Sequence, residues 1–176
     1  GHGGDGGRSS GDGLPGDRTC LGGILYDDPL SPTQPGSGGG GDKCGGYGGG
    51  VLQVEAGANF SLAEQASLHA DGENGDPGGP SAAGCGGGSG GSIVIRAARL
   101  LASEWVSQSS PGWTGEISAC GGQGTYPGGG GGGGGLIRFE SLLGPDWDVP
   151  PTHTIGDSSH VKVYAGDGGD VLDEQS

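Results

Sequence analysis

The stretch Gly90-Gly91-Ser92-Ile93-Val94-Ile95-Arg96-Ala97 decides the fold, because a glycine run leads directly into alternating apolar residues. Apolar side chains two positions apart are typical of a β-strand with one buried face. The pattern occurs earlier in Gly48-Gly49-Gly50-Val51-Leu52-Gln53-Val54-Glu55-Ala56 and later in Gly134-Gly135-Leu136-Ile137-Arg138-Phe139-Glu140. The chain therefore contains an internal repeat.

The equivalent apolar positions of this repeat fall at a nearly constant distance along the chain. Leu52, Ile93 and Ile137 are separated by 41 and 44 residues. We expect these three residues to lie beside one another on consecutive parallel strands. The same register places the second apolar residue of each strand in a neighbouring row, formed by Val54, Ile95 and Phe139.

A second recurring element lies between the copies of the first. Ser67-Leu68-His69-Ala70-Asp71-Gly72 resembles Glu116-Ile117-Ser118-Ala119-Cys120-Gly121, and Val161-Lys162-Val163-Tyr164-Ala165-Gly166-Asp167-Gly168 is a candidate third copy. Each is a short strand that runs into glycine. One repeat unit is therefore predicted to contain a strand, a turn, one or two further strands and a glycine segment.

Glycine is too abundant for an ordinary globular domain. Of 176 residues, 49 are Gly and 11 are Pro, while apolar residues make up 30%, against about 45–50% in a typical soluble domain. The glycine tracts are either flexible linkers or packed structure. Every tract adjoins a strand at a fixed offset, which favours extended glycine segments hydrogen-bonded to one another, in a form with three residues per turn.

Net charge limits the partners. The formal charge is −14, from seven basic and 21 acidic residues, whereas binding to phosphate groups requires a basic surface. Nucleic acid and anionic membranes are therefore not expected as partners. No apolar run approaches the ~18 residues that a membrane-spanning helix needs, so membrane insertion is not expected either.

Four cysteines permit two disulfides. Cys44 lies eight residues before Leu52, and Cys85 lies eight residues before Ile93. Equivalent positions on adjacent parallel strands are about 4.7–4.9 Å apart, within the Cα separation that a disulfide tolerates. The spacing favours Cys44–Cys85, which leaves Cys20–Cys120 as the second bridge, and the other two pairings remain open.

Several features indicate an extracellular or cell-surface glycoprotein. Asn59-Phe60-Ser61 is an N-glycosylation sequon, and an even number of cysteines suits an oxidising compartment. The chain contains no Met and begins inside a glycine tract. We therefore expect a processed product or a segment of a longer protein.

Several phrases resemble a glycine-rich repeat of large extracellular and cell-surface proteins. They are Tyr26-Asp27-Asp28-Pro29-Leu30-Ser31-Pro32-Thr33-Gln34-Pro35-Gly36-Ser37-Gly38-Gly39-Gly40-Gly41, Gly88-Ser89-Gly90-Gly91-Ser92-Ile93-Val94-Ile95 and Gly115-Glu116-Ile117-Ser118-Ala119-Cys120-Gly121-Gly122. The resemblance covers most of residues 1–141 and weakens afterwards. It implies a right-handed parallel β-helix or a related glycine-rich stack, as in adhesins, cell coverings and filaments, with no catalytic residues. Cys120 stands where that pattern commonly has Asn, which suggests a crosslink.

The expected fold class is all-β with essentially no α-helix: a glycine-rich parallel β-helix or solenoid-like stack with extended polyglycine segments. Residues 1–141 are predicted to form the repeat stack, with about three coils. Residues 142–176 are predicted to form an extended connector and part of a further coil.

The sequence does not predict an enzyme, a cofactor or a metal centre. The acidic pairs Asp27/Asp28 and Asp146/Asp148 are explained by turns and loops, and no Cys or His residues have zinc-ligand spacing. Residues 166–173 faintly resemble a calcium-binding nonapeptide, but such sites need several tandem copies. Calcium is therefore only weakly supported.

The favoured function is a structural building block of an extracellular filament or cell-surface covering, assembled through stacking of subunits or domains. Its partners would be copies of itself or other domains of the same assembly. The alternative is a secreted adhesin-type module that binds a carbohydrate or surface through Trp105 and Trp113, with glycans as partners. An ice-binding protein is less favoured, because strict three-residue spacing and flat repeated faces are missing.

Overall fold

Short strands form where the alternating apolar runs begin, directly after or before glycine. The structure is a computed structural model that describes residues 26–28, 30–41, 43–62, 65–77, 84–100, 116–125, 128–141 and 161–166. Within these ranges the chain contains no helix. Its six strands are β1 (Val51–Phe60), β2 (Leu68–His69), β3 (Ser92–Leu100), β4 (Ile117–Ser118), β5 (Leu136–Ser141) and β6 (Val161–Lys162).

The long strands form one parallel sheet in the order β1-β3-β5. Leu52 pairs with Ile93, which in turn pairs with Ile137. The next row consists of Val54, Ile95 and Phe139. The register predicted from the spacing of 41 and 44 residues is confirmed.

The short strands form a second parallel sheet in the order β2-β4-β6. Leu68 pairs with Ile117, which pairs with Val161. The second recurring element of the sequence is therefore also aligned copy on copy.

The two sheets share a small apolar core. Its buried residues come from the middle strands and from the residues just after β2 and β4: Ala70, Ile93, Ile95, Ala97, Ile117 and Ala119. Residues of the outer strands, such as Leu52 and Ile137, pack against this core but are only half-buried. The opposite face of β3 is covered near Ser92, whose hydroxyl donates to the Gln34 carbonyl at 3.1 Å. Burial is therefore concentrated on β3 and β4.

The predicted parallel β-helix or solenoid-like stack is wrong. Among the described residues, the strands form two small three-stranded parallel sheets, and neither sheet closes on itself. The spacing of the apolar pairs determined which strands pair, but not how the chain connects one sheet to the other. The glycine segments lie on the way from the second sheet back to the first, and they form hydrogen bonds in several directions around their axes, whereas a sheet ladder lies in one plane. The predicted domain division at residue 141 remains a prediction.

Candidate functional site: a bundle of glycine segments

Extended segments rich in glycine continue from the strands and pack side by side. We call them the glycine bundle, which comprises residues 36–41, 44–50, 70–76, 84–91, 119–125, 128–135 and 163–166. Residues 44–50 lead into β1, 84–91 into β3 and 128–135 into β5, whereas the segments after β2, β4 and β6 lead away from the second sheet. The bundle therefore extends both layers beyond their strands.

The segment 84–91 is the centre of the bundle. Its N–H groups donate hydrogen bonds to three neighbouring segments in turn, so that N–H groups three residues apart bond to the same neighbour. Those of Gly86 and Ser89 donate to residues 36–41, and those of Gly87 and Gly90 donate to residues 128–135. The remaining pair, Gly88 and Gly91, donates to the carbonyls of Glu73 and Ala70. All six hydrogen bonds measure between 2.6 and 3.0 Å. A period of three is that of an extended helix with three residues per turn, which makes no internal hydrogen bonds.

Carbonyl groups of the same segment accept hydrogen bonds from two further neighbours. Gly46 and Gly49 donate to the carbonyls of Gly86 and Ser89, and Gly122 donates to the carbonyl of Gly88 at 2.8 Å. The central segment is thus bonded to 36–41, 44–50, 70–76, 119–125 and 128–135. All of its residues except Gly86 are buried, so these bonds satisfy main-chain groups that are shielded from water.

Close approach between the segments requires glycine at specific positions. A Cβ atom on Gly39 would lie 2.0 Å from the Gly86 carbonyl oxygen, and one on Gly132 would lie 1.9 Å from that of Gly88. In contrast, a Cβ atom on Gly40 would have no atom within 4 Å. The absence of side chains is therefore what permits the lateral bonds, but not every glycine is required for this reason.

Side chains at every third position complete the bonding along one side of the bundle. The Asp71 carboxylate accepts hydrogen bonds from the Cys120 N–H and the Ser118 hydroxyl, both at 2.7 Å. Three residues on, the Asn74 side-chain oxygen accepts the Gln123 N–H at 2.7 Å. Polar side chains here act as acceptors for main-chain donors that no neighbouring carbonyl reaches.

Cys120 and Asp71 are equivalent positions of the second recurring element: Asp71 follows β2 as Cys120 follows β4. Its thiol is half-buried, and this burial raises its pKa, while a hydrogen bond from the Tyr164 main-chain N–H opposes the rise. Among the described residues it forms no disulfide. The thiol donates to the Lys162 carbonyl, with 3.6 Å between Sγ and the oxygen, so Cys120 contacts the next copy as Asp71 does one unit earlier.

A Ser, His and Asp cluster lies at the start of the same side of the bundle. The Ser118 hydroxyl lies 2.7 Å from His69 Nδ1 and donates to Asp71. Ser118 itself is completely buried. In a nucleophilic triad the imidazole bonds the hydroxyl and the carboxylate through different ring nitrogens; here the same nitrogen, His69 Nδ1, faces both, at 2.7 Å from Ser118 Oγ and 3.6 Å from Asp71 Oδ2. The cluster therefore ties β2 to β4 and does not present a nucleophile.

A disulfide joins the first and second units at the end of the bundle. Cys44 and Cys85 are bonded, with their Cα atoms 5.5 Å apart. Both cysteines are buried, and the Cys85 carbonyl also accepts the N–H of Thr125, which belongs to segment 119–125. The structure thus brings together the two cysteines that lie at equivalent repeat positions.

Charged residues form a row across the outer face of the first sheet. The Arg96 guanidinium lies 3.4 Å from the Glu55 carboxylate on one side and 2.6 Å from that of Glu140 on the other. Hydrogen bonding from Arg96 lowers the pKa of Glu140, and Arg138 adds a further contact to the same carboxylate. The row links all three strands in the register set by the apolar residues.

The remaining predicted site residues are placed only in part. Asn59 lies exposed near the end of β1. Cys20, Trp105 and Trp113 lie outside the described residues, as does the predicted calcium segment after Gly166. Within the described ranges no three His, Cys, Asp or Glu residues are grouped so that they could hold a metal ion. No described helix has the length and apolar character needed to cross a membrane.

Comparisons with known proteins give no relative. Protein-family models do not match the chain, and neither curated proteins nor solved structures give a significant match. The resemblance to a glycine-rich repeat of extracellular proteins therefore remains a prediction.

Proposed function

We propose that this chain is a structural building block of an extracellular filament or cell-surface covering. The observation that carries the proposal is the central segment 84–91, whose buried main-chain groups bond to five neighbouring segments. The order of such a molecule depends on hydrogen bonds between main-chain segments that lie side by side. Lateral association of this kind suits a load-bearing unit.

The edges of the sheets support assembly through further copies. β1 and β5 are the outer strands of one sheet, and β2 and β6 are the outer strands of the other. In the described part of the chain no further strand pairs with their outer edges. Unpaired strand edges invite pairing with another chain, and the half-buried Leu52 and Ile137 would gain burial if a copy were added.

An extracellular location is part of this proposal. The Cys44–Cys85 disulfide is suited to an oxidising compartment. Asn59, the acceptor of the sequon, is exposed and could carry a glycan. The partners are accordingly further copies of this chain or other domains of the same extracellular assembly.

Electron microscopy and sedimentation of the purified, oxidised chain test the proposal. We expect elongated assemblies whose abundance rises with protein concentration. Val51→Lys places a charge on the outer strand β1, and such charges block edge pairing, so it should abolish assembly. Gln123→Lys adds the same charge at an exposed position of the middle unit and should leave assembly intact. Monomeric particles at every concentration would contradict the proposal.

A further inference from the structure

Two tyrosines project from the glycine bundle with little around them. Tyr47 is 80% exposed and Tyr164 is 60% exposed, the first and third highest values among the large exposed apolar and aromatic residues that the structure describes. Tyr47 has glycine on both sides, at positions 45–46 and 48–50, so no neighbouring side chain in the sequence screens its ring. Tyr164 is followed by Ala165 and Gly166.

Both tyrosines are fixed at the main chain although their rings are exposed. The Tyr47 carbonyl accepts the Glu73 N–H at 2.8 Å, and its own N–H donates to the Glu73 carboxylate at 3.2 Å. The Tyr164 carbonyl accepts the Gly121 N–H at 2.7 Å. The phenol rings are therefore exposed to solvent, while hydrogen bonds fix the main chain that carries them.

The two tyrosines lie at opposite ends of the order of units. Tyr47 precedes β1, the first strand of its sheet, and Tyr164 follows β6, the last strand of the other sheet. The segments 84–91 and 119–125 of the middle unit lie between the two segments that carry them. Each chain thus carries two separated reactive positions, which is the requirement for a linear polymer.

From these observations we propose that Tyr47 and Tyr164 are oxidative cross-linking sites, which join copies of this chain covalently as dityrosine. This inference rests on the proposed function, because it needs copies of the chain to lie side by side. A covalent bond has a physical role in such an assembly, since a formal charge of −14 on each chain makes the copies repel one another.

The chemistry requires a one-electron oxidant, for which we name a haem peroxidase with hydrogen peroxide. Each phenol loses one electron and one proton to give a phenoxyl radical. Two radicals couple through the carbons ortho to their oxygens, and a proton shift restores both aromatic rings. One hydrogen peroxide accepts the two electrons and two protons and becomes two water molecules.

Tyr26 provides an internal control. Its ring is 44% exposed, and its hydroxyl donates to the Pro35 carbonyl at 2.5 Å, which ties the ring to its own segment. Coupling to another copy requires this hydrogen bond to break, so we expect Tyr26 to react less than Tyr47 and Tyr164. Tyr126 lies outside the described residues, so the test is made with Tyr126→Phe in every variant.

The test treats the oxidised full-length chain with peroxidase and hydrogen peroxide, and follows products by denaturing gels, dityrosine fluorescence and peptide mass spectrometry. We expect a ladder of covalent polymers. Tyr47→Phe or Tyr164→Phe alone should stop the reaction at dimers, and the double variant should give none. Tyr26→Phe should leave the ladder unchanged. A full ladder from the double variant, or dityrosine found mainly on Tyr26, would overturn the inference.

Native material separates this inference from the proposed function. Peptides containing Tyr47 and Tyr164 joined with the loss of two hydrogen atoms would support it. Filaments that contain no such linked peptides would overturn the inference and leave the proposed function standing. Covalent chains that never form filaments or sheets would contradict the proposed function alone.

Discussion

The glycine bundle and the apolar core are held together by opposite means. In the core, Ile93, Ile95 and Ile117 are fully buried, and side-chain atoms removed from water supply the stability. In the bundle, segment 84–91 has hardly any side chains, and hydrogen bonds between main chains take their place. Stability therefore requires buried side-chain atoms in the core and the absence of side chains in the bundle. Truncating a side chain should destabilise the core, whereas adding one should destabilise the bundle.

The largest effect is expected where a methyl group is added inside the bundle. Gly39→Ala places its Cβ 2.0 Å from the Gly86 carbonyl oxygen, so the two main chains must separate. The nearby bond from the Gly39 N–H to Gly46 would be lost with them. Overpacking typically lowers the free energy of unfolding by about 1–3 kcal/mol, and by more where the backbone must move. We therefore expect Gly39→Ala to lower it by more than that range.

The adjacent glycine supplies the matched control for this substitution. Gly40→Ala adds the same methyl group one residue later, where no atom lies within 4 Å. It should be neutral or should stabilise the chain by about 0.4–1 kcal/mol, because alanine restricts the unfolded state. Equal losses of thermal stability for the two variants would show that the bundle is not packed as described.

The second largest effect is expected in the core. Ile93→Ala removes buried methyl and methylene groups from the middle strand, and such truncations cost about 2–5 kcal/mol. Val51→Ala truncates a residue that is 40% exposed, so its effect should stay within about 0.5 kcal/mol. Chemical denaturation of the two variants measures the difference, and a loss at Val51 as large as that at Ile93 would contradict the assigned core.

The disulfide lies where the bundle joins the first unit to the second. Replacing Cys44 and Cys85 together with Ala frees a loop of 41 residues, and loss of a disulfide of this kind costs about 2–4 kcal/mol. Because the core is small, we expect the isolated double variant to lose its cooperative thermal transition. Cys120→Ala should keep the transition. A sharp, concentration-independent melt of the double variant would show that neither the disulfide nor assembly is needed for order.

The smallest effect on stability is expected at Cys120, on the side of the bundle where polar side chains bond to main-chain groups. At the equivalent position one unit earlier, the Asp71 carboxylate accepts the Cys120 N–H at 2.7 Å. By the same register, the amide oxygen of Cys120→Asn should accept the Tyr164 N–H, as the Asn74 oxygen accepts the Gln123 N–H at 2.7 Å. A net hydrogen bond contributes about 0.5–1.5 kcal/mol. We therefore expect Cys120→Asn to be more stable than Cys120→Ala by that amount, measured from denaturation midpoints. An asparagine variant no more stable than the alanine variant would contradict this role.

The sequence predicted the strands well because their side chains alternate. The pairs Leu52/Val54, Ile93/Ile95 and Ile137/Phe139 determine both the buried face and the partner strand, since a shift by one residue would expose them. The same spacing placed Cys44 opposite Cys85.

The course of the chain between the strands could not be predicted in the same way. Residues 128–135 are eight consecutive glycines, and no side chain marks which of their N–H groups faces which neighbour. The predicted parallel β-helix or solenoid-like stack was wrong, because the described strands form two small parallel sheets, neither of which closes on itself. The contact of the Cys120 thiol with the Lys162 carbonyl was also missed, although a signal existed: Asp71 occupies the equivalent position in the preceding copy and contacts its neighbouring copy.

Hydrogen exchange at the glycines of segment 84–91 tests the central claim most directly, because it reports on the main-chain N–H groups themselves. In the oxidised chain we expect the amides of Gly87, Gly88 and Gly90 to exchange as slowly as those of Ile93 and Ile95, since all are buried and hydrogen-bonded. Protected amides in β3 together with glycine amides that exchange at the rate of an unstructured chain would contradict it.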